Sequence, residues 1–156
     1  MIFISPSKGK MSFEEMMQDI LNYINGLPSS SYKIVVGTDS QVRKETCLVT
    51  AVIVHRKGKG ARFFYHKKIQ RKIKSLRQKI FYETSLSLEL GAKITNFLAQ
   101  SGLDQLSLEI HIDVGCQGET RELIREVVGM VTGSGFAAKI KPDSFAASSV
   151  ADRYSK

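Results

Sequence analysis

Cysteine is scarce in this chain, long hydrophobic runs are missing, and acidic residues are outnumbered by basic ones. Cys47 lies in an apolar run and Cys116 in a glycine-flanked loop. Two thiols without metal-ligand spacing argue against a disulfide framework. No apolar stretch is long enough to span a bilayer, and Met1-Ile2-Phe3-Ile4-Ser5-Pro6 is too short for a signal peptide, so the expected setting is cytoplasmic, without a membrane partner. Neither an internal repeat nor a low-complexity tract is present. The loop Gly115-Cys116-Gln117-Gly118 lacks the lysine of a nucleotide P-loop. Against 15 Asp and Glu stand 23 Lys and Arg, a net charge of +8. Such an excess draws polyanions through counterion release, and nucleic acid is the first partner to consider.

The 156 residues suit one domain with a core that needs no covalent staple. Ser12-Phe13-Glu14-Glu15 has the form of a capping box and predicts a helix to about Asn25, stopped by Gly26-Leu27-Pro28. A first strand is expected from Tyr32 to Asp39. The β-branched run Cys47 to His55, the Lys57-Gly58-Lys59-Gly60 turn and Arg62 to His66 read as a hairpin. Apolar residues recur at helical spacing over residues 73–100, ending at Ser101-Gly102, where glycine can take the left-handed cap. Residues 106–114 alternate, with Leu106, Leu108, Ile110, Ile112 and Val114 on one face and Ser107, Glu109, His111 and Asp113 on the other. A helix over residues 119–132, a strand over residues 136–141 and a last short helix near Asp152 complete the pattern.

Early hairpins followed by right-handed crossovers predict an α/β fold. The expected mixed five-stranded sheet has a three-strand antiparallel meander and two further strands parallel to the first. Helices flank it, and residues 1–31 form an extra N-terminal helical extension. Acidic residues fall on the first strand, the first helix after the meander, the fourth strand and the last helix. This order resembles the ribonuclease H superfamily over about residues 32–156. Within it the chain is most similar to the bacterial YkuK-like family. The likeness is carried by Val36-Gly37-Thr38-Asp39-Ser40-Gln41, Ile112-Asp113-Val114-Gly115, Gly118-Glu119-Thr120-Arg121, Ile140-Lys141-Pro142-Asp143-Ser144 and the run from Ala146 to Tyr154.

The resemblance implies a carboxylate site made of Asp39, Glu83, Asp113 and Asp152, holding two Mg²⁺ or Mn²⁺ ions. Ions about 4 Å apart activate water and stabilise the leaving oxygen of a phosphodiester. Such hard cations require converging oxygen ligands. Glu83 is preferred to Glu89 because Leu76, Ile80, Glu83, Ser87, Leu90 and Ile94 form one helical stripe facing the sheet. A carboxylate there needs compensation, which a metal supplies, although a lysine partner at the stripe's margin serves too. Asp39 and Asp113 also suit turns after strands, Asp152 suits a helix cap, and Asp143 competes with Asp152 for the fourth place.

Lys67, Lys68, Arg71, Lys72 and Lys74, with Arg77 and Lys79, run from the third strand into the central helix just ahead of Glu83. They form the expected phosphate track, with Arg121 as a further contact, while Arg56, Lys57, Lys59 and Arg62 beside Phe63, Phe64 and Tyr65 offer a second basic cluster with stacking rings. The expected function is a metal-dependent nuclease acting on DNA, RNA or a hybrid. Alternatives are a catalytically silent nucleic-acid-binding or assembly domain and a small-molecule phosphohydrolase.

Overall fold

A computed structural model describes residues 1–103, 106–115, 121–141 and 143–144. Ser12 closes the second of two short strands, β1 (Ile2–Ser5) and β2 (Gly9–Ser12), and caps helix α1 (Phe13–Asn25). Its Oγ accepts from the Glu15 amide at 3.1 Å, and Glu15 Oε1 accepts from the Ser12 amide at 2.9 Å. This is the reciprocal capping box that the spacing predicts. The β1–β2 hairpin corrects the expectation of a purely helical extension. Its apolar run of Ile2, Phe3 and Ile4 is short, yet Phe3 is fully buried and Ile4 pairs with Tyr65 far along the chain. That pairing is long-range, so local pattern does not reveal it.

The meander follows as β3 (Tyr32–Val42), β4 (Glu45–Arg56) and β5 (Ala61–Arg71), paired antiparallel in turn. The crossover part is α2 (Leu76–Gln100), β6 (Ser107–His111), α3 (Arg121–Gly133) and β7 (Ala137–Lys139). β6 runs parallel to β3, and β7 parallel to β6. The sheet has seven strands in the order β2-β1-β5-β4-β3-β6-β7. Its last five strands are the expected mixed sheet, and β1 and β2 extend it beyond β5. The last helix expected near Asp152 lies outside the described residues.

The helices bury one face of the sheet. Met16 and Ile20 of α1, Ile94 of α2 and Val127 and Val131 of α3 pack with Ile34, Val36, Val52, Val54, Phe64 and Ile110. Each such side chain contributes about 2 kcal/mol on leaving water. α2 starts at the Ser75 cap, whose Oγ accepts from the Gln78 amide at 3.1 Å, three residues later than its apolar periodicity begins. It ends where Gly102, at φ +78°, lets the Leu103 amide reach the Leu98 carbonyl at 2.8 Å. Midway, a Cβ on Gly91 would stand 3.2 Å from Ile110 Cδ1, so the helix lies close against β6. This close seat aims the preceding turns of α2 at the carboxyl ends of β3 and β6.

Candidate carboxylate site

Within the predicted stripe of α2, Ile80, Ser87, Leu90 and Ile94 are buried, and so is Glu83, at 5% exposure. Leu76 is 51% exposed, so the buried stripe begins one turn later than its spacing suggests. Glu83 Oε2 accepts a hydrogen bond from Ser40 Oγ at 2.5 Å and lies 3.7 Å from Lys79 Nζ, one turn back on the same helix. Ser40 follows Asp39 on β3, so the hydrogen bond ties Glu83 to the strand that carries Asp39. One turn further along α2, Ser87 Oγ is 2.8 Å from Thr38 Oγ1, itself 3.0 Å from Thr50 Oγ1. Hydroxyls thus satisfy one another beneath the carboxylates in a layer that is otherwise apolar.

The parallel ladder runs up to the approach of both aspartates. Gly37 pairs with His111 across the parallel β3–β6 ladder. Asp39 lies two residues further on, still inside β3, and Asp113 two residues past the end of β6. Beyond His111 the chain tightens: the Val114 amide donates to the Ile112 carbonyl at 2.9 Å, a three-residue turn centred on Asp113. The expected strand therefore ends early, and this turn redirects the Asp113 side chain. Its Oδ1 is 2.9 Å from Lys141 Nζ, just beyond β7. Asp39 is 6% exposed. Because Thr38 and Ser40 both reach α2, strand alternation starts the Asp39 side chain from the opposite face.

Glu83 feels the charge of both aspartates. Burial above all, followed by the charges of Asp39 and Asp113, pushes the Glu83 carboxyl from 4.5 up to about 7, against the opposing pull of Lys79 and the Ser40 hydrogen bond. Among the described residues, no three His, Cys, Asp or Glu side chains form a ready-made metal cluster. The donors are nevertheless all oxygens, the set that suits Mg²⁺ or Mn²⁺. A cation there would have to displace Lys79 and Lys141, whose side chains are 27% and 53% exposed and have room to swing aside. Asp152 lies outside the described residues. Asp143 is exposed in a turn, its amide donating to the Ile140 carbonyl at 2.8 Å.

The polar face of β6 has its own explanation. Glu109 Oε2 is 3.3 Å from Lys33 Nζ and 3.6 Å from His111 Nε2. Burial, opposed by Glu109, lowers the pKa of His111 below its usual value.

The basic residues divide. Lys67 pairs with Val49, the partner of Asp39, while Lys68 pairs with Leu48, the partner of Ser40. Neighbours on one strand point to opposite faces, so Lys67 shares the Asp39 side and Lys68 the α2 side, each about 10 Å from its row-mate on β3. Lys68 Nζ donates to Tyr82 Oη at 3.0 Å. Arg71 at the end of β5 and Lys72 and Lys74 on the connection into α2 are exposed, as is Arg121 at the start of α3. The hairpin cluster differs. Phe64 is fully buried in the core, and Arg56 and Arg62 lie 4.0 and 4.7 Å from the Tyr23 ring centre. Phe64 is therefore no stacking surface, and Arg56 is tied further to Tyr32 Oη at 3.0 Å.

A parallel β3–β6 pair with an aspartate in one strand and another just past its partner, beside a meander and a glutamate-bearing helix, is the arrangement expected of one superfamily. The Ribonuclease H-like family model matches residues 15–156. The chain belongs to the ribonuclease H-like family. It is 39% identical over 168 aligned positions to "Uncharacterized protein YkuK" of Bacillus subtilis (strain 168), covering 99% of this chain and 97% of that protein. No solved structure matches it. Family membership accounts for the fold and suggests dealings with nucleic acid in general. Among the described residues no helix is long and apolar enough to cross a membrane.

Sequence reasoning placed Ser87 in the stripe but did not anticipate its contact with Thr38, nor the parts of Ser40 and Lys141. Two signals were present. Lys79 and Glu83 have the four-residue spacing of a helical ion pair, and Thr38 and Ser40 flank Asp39 with the alternation that turns both toward a helix.

Proposed function

We propose that the protein is a metal-dependent nuclease in which Asp39, Glu83 and Asp113, with Asp152 as the fourth carboxylate, hold Mg²⁺ or Mn²⁺ and hydrolyse phosphodiester bonds. One observation carries this reading. Glu83 is buried, bonded to the neighbour of Asp39 and within reach of the charges of both Asp39 and Asp113. A buried carboxylate with like charges nearby is a costly arrangement unless a cation relieves it. When bound, the metal would supply an activated water and charge neutralisation at the leaving oxygen. The chain's own part is to present the oxygens: α2 fixes Glu83, Ser40 orients its carboxyl, and Asp39, which starts from the other face of β3, would have to turn past the end of β6 to join Glu83 and Asp113. Lys67, Lys68, Arg71, Lys72, Lys74 and Arg121 would guide the phosphate backbone.

The ion pairs of Lys79 and Lys141 favour a second reading, a nucleic-acid-binding domain in which lysines replace the metal. Labelled DNA, RNA and hybrid incubated with Mg²⁺ or Mn²⁺ separate the two. The nuclease reading expects cleavage that Asp39→Asn and Asp113→Asn each abolish; cleavage indifferent to both substitutions contradicts the site. Tight, salt-sensitive binding without cleavage supports the binding domain.

A further inference from the structure

Four residues of α2, Gln78, Phe81, Tyr82 and Ser85, share a stripe at helical spacing that the core does not fully use. They wall a cleft of about 490 Å³ whose other side is the end of β5 and the connection after it, including Arg71 and Lys72. The connection is anchored, because the Ile73 amide donates to Thr46 Oγ1 at 2.9 Å. Both rings are half-buried and each has a cation close by: the Arg77 guanidinium lies 4.9 Å from the Phe81 ring centre, and Lys68 Nζ 5.5 Å from that of Tyr82. The cleft and Glu83 share one turn of α2, on different faces of the helix. Tyr82 precedes Glu83, and its partner Lys68 stands in the cross-strand row that begins at Ser40.

We propose that this cleft is a stacking subsite for an unpaired nucleotide, making single-stranded nucleic acid the preferred substrate class of the neighbouring carboxylate site. The inference rests on the nuclease reading for the word substrate, but not for the binding. Rings flanked by cations suit a base laid against an aromatic face with its phosphate against Arg71 or Lys72. A duplex keeps its bases stacked inward and offers such a cleft only phosphates. Arg71 and Lys72 alone would therefore not discriminate strandedness; Phe81 and Tyr82 provide the discrimination.

Fluorescence anisotropy with a labelled oligonucleotide of about sixteen nucleotides, single-stranded or annealed to its complement, tests this in EDTA. In the Phe81→Leu/Tyr82→Leu variant, single-strand affinity is expected to fall about tenfold or more, with duplex affinity unchanged within about twofold. Tyr82→Phe should retain wild-type binding, because the ring remains. Should the double variant fail to fold, Ser85→Glu places a carboxylate in the cleft from an exposed position and is expected to weaken single-strand binding by about fivefold or more. Single-strand affinity that survives both ring removal in a folded protein and Ser85→Glu overturns the proposal. Wild type that cleaves single strands while ring variants bind and cleave them equally well removes the subsite and leaves the nuclease reading. Ring-dependent binding without metal-dependent cleavage does the reverse.

Discussion

Two acidic residues, Asp19 on α1 and Glu83 on α2, are buried near opposite ends of the same sheet, at 6% and 5% exposure, in different company. Asp19 Oδ1 holds Lys8 Nζ at 2.5 Å and Arg62 at 3.1 Å, with the Arg56 and Arg62 guanidiniums against the adjacent Tyr23 ring. Glu83 has one ammonium at 3.7 Å, one hydroxyl and two aspartates within electrostatic reach. The first carboxylate ties a helix to a hairpin and is matched by positive charge. The second is undersupplied with positive charge, and an undersupplied buried carboxylate marks a working site more than a structural one.

The sharpest way to break the contrast is to neutralise each carboxylate. Glu83→Gln should lower metal-dependent cleavage on the order of a hundredfold or more. Without metal, the same change should raise stability. The folded protein holds the Glu83 proton up to about pH 7 and the unfolded chain only to 4.5, so wild-type stability falls as pH rises between those values. At about pH 8 the variant should be more stable by about 3 kcal/mol, with the difference vanishing below the unfolded value, as urea melts across pH would record. A constant difference at every pH would mean that burial of this proton is not the cause. Asp19→Asn should act in the opposite sense, costing about 2 kcal/mol, because two half-exposed cations lose their partner. Cleavage should be preserved, and a parallel loss of activity would end the division of roles.

Smaller effects sharpen the picture. Thr38→Val removes the middle of the Thr50–Thr38–Ser87 chain and should cost about 1–2 kcal/mol by leaving buried hydroxyls unmatched, measurable as a shift in the urea midpoint. Ser12→Ala, far from both carboxylates, should cost about 1 kcal/mol through the lost cap and leave cleavage untouched.

Much of this was legible in the sequence, unevenly. The α1 cap was local, and Ser12 and Glu15 sufficed to place it. The five-stranded arrangement followed from runs long enough to show their period and from the rules of crossover connections. Glu83 was found because a charge within an apolar stripe stands out at single-residue resolution. The β1–β2 hairpin escaped because its stability comes from Phe3 in the core and from pairing with Tyr65, contacts that no local pattern contains. The burial of Phe64 and the stacking of Arg62 on Tyr23 depend likewise on distant packing. The split of Lys67 from Lys68 was readable in principle, since neighbours on a strand face opposite ways, but a run of like charges invites reading as a single track. The company of Asp113 was hidden by the tight turn that ends β6 and by a lysine beyond the next helix.

The central claim is that Asp39, Glu83 and Asp113 form one seat for a divalent cation. Carboxyl ¹³C NMR of Glu83, titrated across pH with and without saturating Mg²⁺, tests it most directly. The account predicts a Glu83 titration near 7 in the free protein that moves well down in Mg²⁺, and a downward move that is lost in Asp39→Asn. A Glu83 curve that is the same with and without the metal would contradict it.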